Sequence, residues 1–123
     1  MTINNIQPPP QLPAPLTERL QYGHRAALAV AEHLLNISPV PPREVTTTYS
    51  GHALDTPRVD LHFFGSSDGV EALAEVLGVP AESGPHAINA DSTYTSMTTM
   101  LAGVTVRAWS LVRSSQGAEA VSR

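Results

Sequence analysis

Alternation of polar and apolar residues is strongest towards the C-terminus. From Ser92 to Val112 the chain reads STYTSMTTMLAGVTVRAWSLV, patterned on both sides of Leu101-Ala102-Gly103. Thr, Val, Tyr and Trp suit a pleated, half-buried surface, so this segment predicts an antiparallel hairpin that turns at that tripeptide. Two earlier stretches read as strands, EVTTTYS over 44–50 and RVDLHFF over 58–64, with a loop from Gly51 to Pro57 between them. Helical periodicity appears twice. Leu20, Ala27, Ala31 and Leu34 recur at helical spacing from Thr17, a suitable N-cap, to Asn36, with Leu28, Val30 and Leu35 widening the stripe. Gly23 weakens this helix by about 1 kcal/mol relative to Ala. The run Ser38-Pro39-Val40-Pro41-Pro42 stops it. A second helix starts at Asp68, a capping residue with Glu71 three positions on, and carries Val70, Leu73, Ala74 and Leu77 on one stripe. Gly78 and Pro80 end it. Residues 79–91 read mostly as loop, with a short extended piece at 86–89.

The order helix, strand, strand, helix, strand, strand predicts an α+β fold. It is a two-layer αββαββ arrangement, a four-stranded antiparallel sheet with two helices on one face. It also fits an imperfect duplication of one αββ unit. Pro8, Pro9, Pro10, Pro13 and Pro15 make residues 1–15 a Pro-rich flexible arm. Residues 16–113 then form a single domain, and the polar stretch 114–123 a flexible tail.

Composition narrows the chemistry. Hydrophobic residues make up 41% of the 123 positions and charged ones 15%, enough for a core. The net charge is −4. All seven cations are Arg, scattered from Arg19 to Arg123, so no linear basic patch exists to neutralise phosphates, which argues against a general affinity for nucleic acid. Cysteine is absent, which excludes disulfide and thiolate chemistry and favours the cytoplasm. The start, MTINNIQPPPQ, has neither the basic nor the apolar stretch of a signal peptide, and no segment approaches the roughly 20 apolar residues that a membrane span needs.

Candidate functional residues follow from strand parity. If Val59, Leu61, Phe63, Val104, Val106 and Ala108 face the helices, then Asp60, His62, Phe64, Thr105, Arg107, Trp109 and Leu111 look the other way. That second set is more apolar than a solvated face needs, and an exposed apolar patch points to a partner. Phe64, Trp109 and Leu111 are the expected anchors, with Asp60, His62 and Arg107 around them. Asp60 and His62, two apart on one strand face, are also a carboxylate–imidazole pair of the kind that orients a general base or joins a metal site, with His52, His86 or Asp91 as further ligands. His24 and His33, nine apart on a helix, fall on opposite faces and are no ligand pair. The Gly65-Ser66-Ser67-Asp68-Gly69 turn lacks a phosphate-loop pattern, and no G-x-S-x-G elbow surrounds the hydroxyl run from Ser92 to Thr99.

A helix followed by VTTTYSG, VDLHFF-GSSDGVEALAEVLG and a Thr/Tyr hairpin ending GVTVRAWSLV resembles small uncharacterised proteins of actinobacteria and their phages or mobile elements, over residues 17–113. That resemblance implies no activity and transfers no catalytic residue. The expectation is therefore a non-enzymatic protein-interaction module, with no cofactor, that forms a homodimer or docks another protein. Two alternatives stand beside it. One is a small-ligand or metal-dependent enzyme built on His62 and Asp60; the other is nucleic-acid binding through the open sheet face, with Trp109, Tyr94 and Arg107 stacking on bases.

Overall fold

The computed structural model describes residues 14–52, 54–86 and 91–113. The arm expected at 1–15 (apart from Ala14 and Pro15), the tail at 114–123 and most of the extended piece at 86–89 lie outside the described residues. Seven elements follow in order: α1 (Ala14–Ile37), β1 (Glu44–Thr48), β2 (Arg58–Phe63), α2 (Asp68–Leu77), β3 (Glu82–Pro85), β4 (Ser92–Leu101) and β5 (Val104–Arg113).

The architecture is α+β, but the sheet corrects the expected αββαββ layout. It has five strands, ordered β1-β2-β5-β4-β3, and it is mixed rather than antiparallel. β1–β2, β5–β4 and β4–β3 are antiparallel, whereas β2 and β5 run parallel. Two causes account for the difference. The segment ESGP, whose Gly and Pro disfavour strands, pairs with β4 as a short edge, where a proline costs little. The last hairpin inserts β5, not β4, beside β2, so α2 and two strands form a long crossover between parallel neighbours. Three strands follow α2, so the expected αββ duplication does not hold.

Both helices cover the same face. α1 packs on β1, β2 and β5, and α2 on β4 and β5. Between the layers lie Ala27, Val30, Ala31 and Leu34 from α1, Val70, Leu73 and Ala74 from α2, and Val59, Leu61, Phe63, Met97, Val104, Val106 and Ala108 from the sheet. At about 25 cal/mol per Å2 of apolar surface, this cluster is the main stabilising term. Leu28 and Leu35, expected on the apolar stripe of α1, are instead exposed.

Helix ends depart from the expected caps. α1 begins at Ala14, which leaves Thr17 inside the helix and Pro15 in its first turn, where no backbone donor is needed. α2 takes Ser67 rather than Asp68 as its N-cap. The Ser67 hydroxyl donates to Glu71 Oε2 at 3.3 Å instead of capping the backbone, and the Asp68 N–H donates to Ser66 Oγ. The C-cap is Gly78, left-handed at φ 72°, as its position after Leu77 predicts. β4 and β5 join through Ala102 and Gly103, both at positive φ, the handedness that suits a two-residue hairpin.

Candidate functional site

The face turned away from the helices is open. Strand parity assigns its rungs. Glu44, His62, Trp109, Ser96 and Glu82 lie side by side across β1, β2, β5, β4 and β3. One rung along stand Thr46, Asp60, Arg107 and Thr98; on the other side stand Leu111, Tyr94 and Gly84. No described element crosses this surface.

Rings dominate its middle. His62 stacks on Trp109 with centroids 4.0 Å apart and planes 11° from parallel. Tyr94 approaches the indole from β4, the opposite side of β5, at 6.1 Å and 28°. His86 is tilted against Tyr94 at 6.1 Å. The row His62–Trp109–Tyr94–His86 therefore spans the sheet from β2 to the end of β3. Polar groups frame it. Arg107 Nε donates to Asp60 Oδ1 at 2.9 Å, and Arg58 Nε lies 3.9 Å from Asp60 Oδ2. The Asp60 side chain is only 17% exposed, so its two guanidinium neighbours offset the water it loses. His62 Nδ1 is 3.6 Å from Glu44 Oε1.

Each residue singled out in the sequence has a definite place. Asp60, His62, Arg107 and Trp109 meet at the centre of the open face. Leu111 sits on the same face beside Tyr94. Phe64 lies just past the end of β2, exposed, with the Arg43 guanidinium 4.5 Å from its ring centre. Asp60 and His62 do not pair with each other: the carboxylate is taken by arginines and the imidazole by Glu44. His52 is on the exposed loop before β2, held by its N–H to Ser50 Oγ. Among the described residues, no group of three His, Asp or Glu side chains is placed to hold a metal ion.

Glu44, Arg58, Pro85 and His86 belong to the face and were not read from the sequence as part of it. Glu44 is missed because parity relates residues within a strand, and only pairing registers β1 on β2; Arg58 shares the parity of Asp60 and is left out only because it stands at the first position of the strand. Pro85 is missed because ESGP carries no strand signal, and for the same reason His86, which the sequence offers only as a further metal ligand from a loop, is not placed on the face.

A broad concavity of about 510 Å3 opens between β5, β4 and β3, lined among the described residues by Pro85, His86, Tyr94, Arg107 and Trp109. A smaller one of about 220 Å3 lies on the β1 side of the indole, between Glu44, Thr46, Asp60, His62, Arg107 and Trp109.

Among the described residues, no helix is long and apolar enough to cross a membrane. No protein-family model, curated protein or solved structure matches this chain.

Proposed function

We propose that this protein is a non-enzymatic interaction module that pairs with a second copy of itself through the open face of its sheet. The observation that carries this reading is the position of Trp109. Its indole stands mid-sheet between His62 and Tyr94, with the helical layer on the opposite face. Tryptophan at the centre of a surface is the usual energetic anchor of an interface, and Leu111 and Phe64 extend the apolar area.

Charge favours a second copy over a polyanion. The carboxylates of Glu44, Asp60 and Glu82 share the face with the guanidiniums of Arg58 and Arg107, so the surface is nearly neutral and carries both signs. A two-fold axis lets such a face complement itself. Its size is adequate. Five strands about 4.8 Å apart, over about six residues at about 3.3 Å each, make a plane of roughly 24 by 20 Å. Burying it on both copies covers on the order of 1,000 Å2 or more, the lower range of specific interfaces.

Light scattering on the eluting protein tests the reading. The expected result is a dimer for the full chain and a monomer for Trp109→Ala with an unchanged circular dichroism spectrum. A full-length chain that stays monomeric at every concentration overturns it.

A further inference from the structure

We infer that the concavity at the β3 side of this face is a binding site for a small planar aromatic anion, a ring that stacks on Trp109 while its carboxylate or phosphate meets Arg107. The inference goes beyond self-association: a second copy seated on Trp109 covers the same hollow, so ligand and second copy compete, and the ligand is tested on the monomer.

Two small residues open an adjoining hollow of about 280 Å3, which shares Pro85 and Tyr94 with the larger one. Ser96 faces Trp109 across the β4–β5 pair, and Gly84 faces Tyr94 across the β3–β4 pair. A Cβ built at Gly84 meets no atom within 4 Å. Large rings thus stand beside positions with almost no side chain, and the larger hollow, lined among the described residues by Pro85, His86, Tyr94, Arg107 and Trp109, reaches about 510 Å3, a volume typical of sites for small molecules.

The lining states what the occupant must be. His62 covers the β2 side of the indole, and Tyr94 flanks it from the β4 side at a looser 6.1 Å. A flat ring entering from β3 gains stacking area against the indole, the phenol and the His86 imidazole without displacing the His62 stack. Among the described residues that line the hollow, Arg107 alone has a fixed charge. Its Nε is held by Asp60 at 2.9 Å, which orients the guanidinium and uses one of its five N–H groups. A planar fork fixed in this way suits a carboxylate or a phosphate. One anion is matched by one guanidinium. The carboxylates of Asp60, Glu44 and Glu82 around it repel a longer polyanion.

The chain has a single tryptophan, so the indole N–H resonance of the labelled full-length protein reports on this site alone. Probes are 2-naphthoate, adenosine monophosphate, the neutral 2-naphthalenemethanol and an oligothymidylate, each added to protein diluted to where light scattering finds the monomer. The expected result is a saturable shift with naphthoate, the monophosphate or both. Response to only one of them names the anionic group. Binding is expected to be about tenfold or more weaker for the neutral alcohol, and for the anions in Arg107→Gln and in Tyr94→Ala, which removes a ring that lines the hollow. Four results overturn the inference: no saturable shift with either anion, equal affinity for the neutral alcohol, unchanged binding by Tyr94→Ala with native amide spectrum, or far tighter binding of the oligonucleotide than of the monophosphate. The oligomeric state is read without probe and the ligand with it, so failure of one proposal leaves the other standing.

Discussion

The imidazole of His62 and the indole of Trp109 lie face to face at 4.0 Å because β2 and β5 are parallel neighbours that place the two residues opposite each other. The strand pairing thus brings together side chains 47 positions apart in the chain. The stack sets the tilt of the indole, and with it the shape of the open face.

Removing the ring beside the indole tests that coupling. His62→Ala is expected to destabilise the fold by about 0.5–1.5 kcal/mol and to shift the Trp109 emission. His62→Phe, which keeps a flat ring, is expected to retain most of both. Urea denaturation monitored by fluorescence checks the pair. Equal losses in the two variants contradict a stacking role.

Gly23 answers to Tyr49 rather than to helix propensity. A Cβ at this position lies 2.1 Å from the Tyr49 ring, so α1 approaches the segment after β1 as closely as a glycine permits. Gly23→Ala is a better helix former by about 1 kcal/mol. It is nonetheless expected to lower stability by about 1–3 kcal/mol, because overpacking outweighs propensity. In a Tyr49→Ala background the same substitution is expected to stabilise. Four denaturation midpoints read this reversal of sign.

Ser110 is buried on β5, and its hydroxyl has no hydrogen-bond partner among the described residues. An unmet buried hydroxyl costs about 1–3 kcal/mol. Ser110→Ala is therefore expected to raise the thermal midpoint, by roughly 1 kcal/mol of stability once the lost side-chain contacts are counted. Calorimetry that shows a clear loss instead disproves this assignment of strain.

The loop between β1 and β2 carries a pH dependence of known sign. Asp55 Oδ2 accepts hydrogen bonds from the Ser50 hydroxyl at 2.7 Å and the Ser50 N–H at 2.9 Å, and these hold its carboxyl below the usual 3.8. A carboxyl depressed in the folded state stabilises it above the unfolded value, and that stabilisation fades as pH falls through the lower folded value. NMR titration is expected to place the Asp55 midpoint under 3.8. The stability gap between the native protein and Asp55→Ala is expected to shrink as pH falls below it. A midpoint at or above that value contradicts the assigned hydrogen bonds.

Alternation made the two faces of β2 and β5 legible, because a strand cannot turn a core side chain outward without turning every neighbour. Val59, Leu61, Phe63, Val104, Val106 and Ala108 are all buried, and Asp60, His62, Arg107 and Trp109 all lie opposite them. The same alternation is blind to partner and direction. A strand that pairs in parallel carries the pattern of one that pairs antiparallel, so the β2–β5 contact, and the His62–Trp109 stack that it creates, had no local signal. β3 had none either: ESGP is recruited by the free edge of β4, not by its own propensity. Gly23 and Gly69 show a related limit. Gly69 lies where a Cβ would fall 2.2 Å from the Phe63 ring, a packing role that helix propensity scores only as a weakness.

Self-association through the open face is tested most directly by the emission of Trp109, the only indole in the chain. The account predicts a blue-shifted maximum at high protein concentration, from an indole shielded by the second copy, that moves to the red on dilution as the pair separates. A maximum that is solvent-like and independent of concentration, in protein that light scattering finds monomeric throughout, contradicts it.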